Sequence, residues 1–281
     1  MSEVNSSAVL ARRMADLGPL CVGIDPHPAL LDSWGLPASA AGLERFGEIC
    51  IAELDGVAAA LKPQVAFFES YGADGIAALE TVIASAREAG HYVISDAKRG
   101  DIGSTMAGYA DAYLRPGAPL ESDAITLSPY LGFGALQPAI DLALEHGKAL
   151  YILALTSNPE GASVQHARST DGQSVAGAIV ASAEAVNADV MARDGSDVGP
   201  IGLVVGATVG SAPRDLGLDL AGFNGIFLAP GVGAQGAGGA ECHDVFGAAR
   251  MLASVSRGVL GAGPGNLADA ARRFVAEIAP A

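Results

Sequence analysis

The sequence has few cysteines and no long uninterrupted apolar run. Its three cysteines, Cys21, Cys50 and Cys242, are odd in number and far apart. They form neither a disulfide framework nor a C-x-x-C metal site, which favours a reducing compartment. No segment approaches the roughly 18 apolar residues of a membrane-spanning helix, and the first residues lack a signal-peptide core. We therefore predict a cytoplasmic protein that is not inserted in a membrane.

Basic side chains are scarce as well. Lys and Arg number 16 against 31 Asp and Glu, so the net charge is −15. This charge argues against general binding to nucleic acid or anionic membranes, and an anionic substrate would require a locally basic site. The histidines are scattered, no Cys/His/Asp cluster has metal-ligand spacing, and no dinucleotide-binding G-x-G-x-x-G follows a first strand. We therefore expect neither a metal nor a cofactor.

Short apolar segments alternate with helical ones along the 281 residues, without a linker that would divide the chain. Such alternation is typical of parallel strands joined by right-handed crossovers. Eight such units predict a single-domain (β/α)8 (TIM) barrel over residues 1–281, with a short leading helix at about 6–17. A doubly wound open sheet is the alternative. The predicted strands are 20–24, 60–67, 92–95, 123–127, 149–155, 200–205, 225–228 and 254–260.

The stretch 92–105, YVISDAKRGDIGST, carries the strongest chemical signal. Asp96 and Lys98 are two apart, so in an extended chain both side chains lie on one face. Gly100 then allows a turn, and Asp101 stands where a helix would begin. A lysine between carboxylates stays protonated, which suits the stabilisation of negative charge followed by proton donation. The alternative is a surface salt bridge with Asp101 as a helix N-cap.

A glycine-rich segment, LAPGVGAQGAGG at 228–239, follows the seventh predicted strand. Loops after the seventh and eighth strands of such barrels often bind phosphate through backbone N–H groups, here including Gly233. Gln235 could add a side-chain donor, and Arg257, on the predicted eighth strand, could make a bidentate contact to the same phosphate. The alternative for this segment is a flexible turn. The loops 156–172 and 230–239 are long enough to act as lids.

Six motifs together resemble the orotidine 5′-phosphate decarboxylase family, in particular its longer bacterial branch. They occur in the order GIDP at 23–26, LKPQ at 61–64, DAKRGDI at 96–102, SPYLGFG at 128–134, PGVGAQG at 230–236 and SRG at 256–258. The resemblance covers essentially the whole chain, and DAKRGDI and PGVGAQG are its most specific parts. It implies a homodimer with shared active sites that converts the nucleotide orotidine 5′-monophosphate to UMP without a metal or cofactor.

The resemblance also implies roles for the charged residues. Lys98 is similar to the lysine that stabilises the carbanion at C6 of the substrate and protonates it. Asp96 is similar to the carboxylate beside the substrate's carboxylate. Asp101 is similar to the aspartate that each subunit contributes to its partner's site. Lys62 is similar to the lysine that links the charged network to the ribose.

For substrate binding, the resemblance implies that Asp25 contacts the ribose and that Gln235 and Arg257 contact the phosphate. Thr105 and Gly233 complete the expected substrate-binding set. The chain departs from the family after PYLGF, where many relatives have a serine that contacts the pyrimidine amide and this chain has Gly134 and Ala135. Ser128 or a backbone group is the expected replacement.

Two other functions remain open. One is a Mg²⁺-dependent sugar-phosphate decarboxylase or aldolase on a related barrel, although Lys62 stands where such enzymes tend to use a metal-supporting carboxylate. Activity that survives EDTA distinguishes the two enzymes. The other is a non-catalytic phosphosugar-binding protein, which predicts phosphate binding without turnover.

Overall fold

Eight parallel strands form one sheet in the computed structural model, which describes residues 5–233 and 236–278. The spatial order of the strands is β2-β1-β8-β7-β6-β5-β4-β3. The strands are β1 Leu20–Ile24, β2 Ala60–Pro63, β3 Ile94–Arg99, β4 Ala124–Leu127, β5 Ala149–Leu155, β6 Ile201–Val205, β7 Phe227–Pro230 and β8 Met251–Val255.

The two ends of this sheet, β2 and β3, also meet. Parallel bridges join Leu61 to Val93 and Gln64 to Asp96, and the Leu61 N–H donates to the Tyr92 carbonyl at 2.9 Å. These contacts close the sheet into a (β/α)8 barrel with one domain. The predicted fold is confirmed, and the open-sheet alternative is wrong.

Helices surround the barrel, and hydroxyl or amide side chains cap several of them. Asn5 caps the leading helix by accepting from the Ser7 N–H, and Ser39 and Ser174 cap the helices Ala40–Leu54 and Val175–Asp194 in the same way. The helices are α1 Ser6–Leu17, α2 Pro28–Ser33, α3 Ala40–Leu54, α4 Val65–Glu69, α5 Gly72–Glu88, α6 Gly103–Leu114, α7 Gln137–Glu145, α8 Ala162–Gln165, α9 Val175–Asp194, α10 Ala212–Leu216, α11 Gly239–Phe246, α12 Arg257–Leu260 and α13 Leu267–Ile278, with single 3₁₀ turns at Phe133–Leu136 and Pro159–Gly161.

The inward-facing side chains of the strands form layers inside the barrel. Because side chains alternate along a strand, residues two apart share a face. The lower layers are apolar and buried, whereas the inward positions near the carboxyl ends of β2, β3 and β4 are Lys62, Asp96 and Thr126. The apolar interior includes Cys21, Ala60, Tyr92, Ile94, Ala124, Tyr151, Val204, Leu228 and Leu252.

Helix α1 closes the amino-terminal end of the barrel. Leu10 is fully buried in the interior cluster. The Ser6 hydroxyl donates to the Asp123 carbonyl at 3.1 Å, and the Arg13 guanidinium donates to the carbonyls of Ala58, Ala59 and Gly90. The packed interior and this helix leave the carboxyl-terminal mouth as the place for a site.

Helix α9 is the one helix in the described ranges that is long and apolar enough to cross a membrane. Its buried side chains, which include Ile179, Val180 and Val190, form one face of the helix, and the Asn187 side chain is bonded to β6 through the backbone of Ile201. A barrel helix that contributes one face to the core meets the same length and composition test.

Several predicted boundaries were wrong. Strand β2 ends at Pro63 because the chain turns at once into α4, and β3 extends through Asp96 to Arg99. Strand β8 lies at Met251–Val255, earlier than the predicted 254–260. Arg257 therefore does not lie on β8; it is the first residue of α12.

Candidate active site

Four of the charged residues predicted from the sequence lie at the carboxyl-terminal mouth of the barrel. Lys62 lies near the end of β2, Asp96 and Lys98 lie on β3, and Asp25 follows β1 directly. In a parallel barrel these strand ends share one edge, so residues far apart in sequence become neighbours.

The Asp96 carboxylate is the centre of the site and accepts four hydrogen bonds. Its Oδ2 accepts from Lys62 Nζ at 2.7 Å and from Gln64 Nε2 at 3.0 Å. Its Oδ1 accepts from Lys98 Nζ at 2.6 Å and from the Thr126 hydroxyl at 2.9 Å. Two cations and two neutral donors thus fix one carboxylate in place.

Charge pairing outweighs burial at the two buried members of this group. Burial alone would raise the pKa of Asp96, but Lys62 and Lys98 hold that pKa well below its ordinary value. Burial alone would lower the pKa of Lys62, but Asp96 and Asp25 hold it above its ordinary value. Both side chains are therefore charged at neutral pH.

Lys98 has a strained backbone and an accessible ammonium. Its φ is +46°, the one positive φ of a non-glycine residue in the ranges 5–233 and 236–278. Such a conformation costs on the order of 1–3 kcal/mol, and it occurs where the pairing of β3 with β4 shifts register between Ser95 and Arg99. The side chain is 45% exposed, so a substrate in the mouth can reach Nζ.

Two polar atoms that follow the neighbouring strands β1 and β8 are buried and unpaired within the described chain. They are Oδ1 of Asp25 and Oγ of Ser256. A Cβ added at Gly23 would lie 3.0 Å from Asp25 Oδ1 and 3.0 Å from Ser256 Cβ, which places both side chains beside Gly23. Buried acceptors are normally satisfied, so a ligand hydroxyl fits here.

The loops after β7 and β8 approach each other over one aromatic ring. Gly233, with φ +73°, has no room for a Cβ, which would lie 2.6 Å from Phe274 Cε1. A Cβ on Gly258 would lie 2.5 Å from Cζ of the same ring. Arg257, exposed at the start of α12, lies beside this contact. The predicted phosphate ligand Gln235 lies outside the described residues.

Ser128 and Thr105 lie at the same end of the barrel. Ser128 follows β4, and its N–H donates to the Arg99 carbonyl at 2.7 Å. Gly100 packs so closely here that a Cβ would lie 2.2 Å from the Ser128 carbonyl oxygen. Thr105 is exposed in the first turn of α6.

Asp101 does not join the Asp96 network of its own chain. Its carboxylate accepts from the adjacent Ile102 N–H at 2.8 Å, and among the described residues it forms no ion pair. Helix α6 begins at Gly103 with Ile102 as its N-cap residue, so the alternative of Asp101 as the N-cap is wrong. Large apolar side chains are exposed on the same side of the barrel: Ile102, Leu131 and Tyr130, the last 79% exposed.

Two residues of the Asp96 network were missed by sequence reasoning. Gln64 belongs to the LKPQ motif but received no role, and Thr126 was treated as part of an apolar strand. Their positions in the sequence could have indicated this role, because each lies near the end of a strand, where inward polar side chains face the mouth.

Comparisons with known proteins identify a family to which the chain is similar over most of its length. The family model described as "Orotidine 5'-phosphate decarboxylase / HUMPS family" matches residues 18–274. The curated orotidine 5′-phosphate decarboxylase of Streptomyces coelicolor is 53% identical over 276 residues, which are 96% of each chain. That of Corynebacterium efficiens is 51% identical over 264 residues, which are 92% of each chain.

Solved structures are similar over the whole barrel. A Streptomyces avermitilis crystal structure, provisionally described as an orotidine 5′-phosphate decarboxylase, matches with a TM-score of 0.92 and 53% identity, over 99% of this chain and 96% of that one. The structure of Leishmania donovani OMP decarboxylase matches with a TM-score of 0.73 and 32% identity, over 96% of this chain and 95% of that one.

Proposed function

Since the chain belongs to the orotidine 5′-phosphate decarboxylase / HUMPS family, we propose that it decarboxylates orotidine 5′-monophosphate to UMP in pyrimidine biosynthesis. The observation that carries this proposal is the Lys62–Asp96–Lys98 array at the barrel mouth. Curated relatives with this activity in their names match more than nine-tenths of the chain at about half identity.

Lys98 is the catalytic cation and proton donor in this proposal. When the bond from C6 to the carboxylate carbon breaks, CO₂ leaves and the electron pair stays on C6 as an sp² carbanion that the ring delocalises poorly. A preorganised ammonium stabilises this charge, and a proton from Nζ then forms the C6–H bond of UMP. Asp96 holds the ammonium and lies beside the substrate's carboxylate, and solvent at the mouth reprotonates Lys98.

The remaining predicted residues bind the substrate. Asp25 accepts from a ribose hydroxyl, which would satisfy its unpaired oxygen, and Lys62 links the charged network to the ribose. Gly233 and Arg257, with Gln235, bind the phosphate. Binding energy from this remote group can hold the charged array around the reacting carboxylate.

Ser128 and Thr105 complete the proposed substrate site. Ser128, fixed through its N–H on Arg99, lies where the chain leaves β4 for the mouth and is our candidate for contacting the pyrimidine. Ala135, where many relatives have a serine, offers no side-chain donor. Thr105, exposed in the first turn of α6, is a further candidate for a contact to the substrate.

We propose that the reaction needs neither a metal nor a cofactor, because the ammonium of Lys98 supplies the required positive charge. Across residues 5–233 and 236–278, no group of three or more His, Cys, Asp or Glu side chains is placed to hold a metal ion. The Asp96 oxygens that could bind one already accept from four donors.

We further propose an obligate homodimer with two shared sites, in which Asp101 completes the Asp–Lys–Asp array of the partner. Its position outside its own network and the exposed Ile102, Tyr130 and Leu131 beside it support this arrangement. Mixing inactive Lys98→Ala chains with inactive Asp101→Ala chains should then restore activity, because one site of each mixed dimer is intact. Verified subunit exchange without recovered activity would contradict the shared site.

Domain extent and location are also proposals. We propose that residues 1–281 form one barrel domain and that the protein acts in the cytoplasm. The three cysteines are free and buried, which suits a reducing compartment.

The decisive experiment measures CO₂ release from orotidine 5′-monophosphate in the presence of EDTA. Turnover that survives chelation is expected. Turnover that EDTA abolishes and Mg²⁺ restores would favour the metal-dependent sugar-phosphate enzyme. Nucleotide binding without turnover would favour the non-catalytic alternative.

A further inference from the structure

The hydroxyl of Thr126 connects the two parts of the catalytic array. Its oxygen accepts a hydrogen bond from the Lys98 backbone N–H at 3.0 Å and donates one to Asp96 Oδ1 at 2.9 Å. Lys98 Nζ donates to the same Oδ1 at 2.6 Å. The hydroxyl, the carboxylate, the lysine side chain and the lysine backbone thus form one closed ring of contacts.

The chemistry of the hydroxyl group fixes the direction of these bonds. A hydroxyl has one hydrogen and two acceptor lone pairs, whereas an ionised carboxylate only accepts and a backbone N–H only donates. Thr126 therefore uses a lone pair for Lys98 and its single hydrogen for Asp96. Among the common side chains that fit this space, serine and threonine can fill both roles at once.

The position of this hydroxyl is well determined by its strand. Thr126 lies on β4, is 1% exposed, and faces into the barrel beside β3. A β-branched side chain has restricted rotamers about χ1, so a fixed backbone also fixes Oγ1. The contact falls where the β3–β4 register shifts, and there the Lys98 N–H is bonded to a side chain of β4.

We propose that Thr126 is a positioning residue: its hydroxyl holds the unusual backbone conformation of Lys98 and the carboxylate that pairs with its ammonium. The strained φ of Lys98 needs support from its surroundings, and Thr126 makes the side-chain contact to its N–H. Without this hydroxyl the lysine can relax, and Nζ then leaves the position from which it serves the reaction. This inference rests on the proposed decarboxylase function for its kinetic consequence only.

Thr126→Val tests the hydroxyl at nearly constant shape. We expect kcat for decarboxylation to fall about 10- to 100-fold while KM changes less than about threefold, since the substrate-binding groups are untouched. Thr126→Ser, which keeps the hydroxyl, should stay within about threefold of wild type. Thr81→Val is the matched control, because within the described part of the chain the Thr81 hydroxyl bonds only to the Ala77 carbonyl of α5, at 3.1 Å, and it should leave kcat unchanged.

Hydrogen exchange at the Lys98 amide tests the positioning without any substrate. Exchange should be about tenfold or more faster in Thr126→Val than in wild type, and near wild type in Thr126→Ser. If Thr126→Val does not fold, Thr126→Ala against Thr126→Ser gives the same comparison, with serine at least about tenfold more active. Wild-type protein that releases no CO₂ would overturn the proposed function but not this exchange result. Equal kcat and equal Lys98 exchange with and without the hydroxyl would overturn the role of Thr126.

Discussion

Replacing Asp96 by asparagine tests the buried charge pair beneath the proposed site. The Lys62 and Asp96 side chains are each 8% exposed, and Nζ lies 2.7 Å from Oδ2. Asparagine keeps the shape but leaves the Lys62 ammonium buried beside a neutral amide. Removing one member of a buried pair typically costs about 3–5 kcal/mol, so we expect the free energy of unfolding at pH 7 to fall by about that amount.

Urea unfolding at a fixed protein concentration measures this loss, since subunit association would otherwise change the apparent stability. Asp269→Asn is the matched control. It removes the ion pair between Asp269 and Arg272, whose side chains are 73% and 63% exposed, respectively. This loss should cost about 0–1 kcal/mol. Adding Lys62→Met to Asp96→Asn should recover part of the stability. A loss for Asp96→Asn no larger than that of the control would refute the buried pair.

The pH dependence of the same loss follows from the direction of the pKa shifts. The folded-state pKa of Asp96 is lowered, so its stabilisation is present above the unfolded pKa of about 3.9 and is lost as pH falls below it. The folded-state pKa of Lys62 is raised, so its stabilisation is present below the unfolded value of about 10.4 and is lost at still higher pH. The difference in free energy of unfolding between wild type and Asp96→Asn should be largest at about pH 5–9 and should decrease below about pH 4.

Three further substitutions, the last with a control substitution of its own, test the site and its support. Lys98→Ala should abolish decarboxylation while circular dichroism shows an intact fold, and activity within about tenfold of wild type, or about 1.4 kcal/mol in barrier, would contradict its role. Arg257→Ala should raise KM for the nucleotide about 10- to 100-fold and affect the phosphate-free nucleoside much less; equal losses would place Arg257 away from the phosphate. Gly100→Ala should cost about 1–3 kcal/mol in urea unfolding, because its Cβ would lie 2.2 Å from the Ser128 carbonyl oxygen. Gly108→Ala, where a Cβ meets nothing within 4 Å, should be neutral or stabilising, and equal effects at both glycines would contradict the close packing.

The sequence predicted the barrel well because its strands have the apolar character of buried parallel strands. Strands β1 and β5 match their predicted bounds. Strand β8 was misplaced because apolar residues continue beyond Val255 at Val259 and Leu260, and short apolar runs do not distinguish a strand from a buried helical turn. The chain turns at Ser256, so Val259 and Leu260 are buried on α12 instead.

The site was predictable where its residues are close in sequence and less so elsewhere. The spacing of Asp96 and Lys98 places both at one strand end, but the contact of Asp96 with Lys62 spans 34 residues and came from the family resemblance. The positive φ of Lys98 had no local signal, because L-residues disfavour that region and only the surrounding contacts support it. Thr126 is a single hydroxyl residue in an apolar strand, and its role could be inferred only once the structure placed β4 beside β3.

The closed amino-terminal end of the barrel limits the routes by which products can leave the enzyme. Leu10 of α1 and the apolar layers above it, among them Tyr92 and Tyr151, fill the space beneath the Asp96 carboxylate. Among the residues that the structure describes, the carboxyl-terminal mouth is then the one opening for both CO₂ and the nucleotide. CO₂ and the nucleotide must therefore leave through the same opening, so the order of product departure depends on the architecture of the barrel. A bulky group on the nucleotide that narrows the mouth should therefore slow the escape of CO₂ without altering the chemical step.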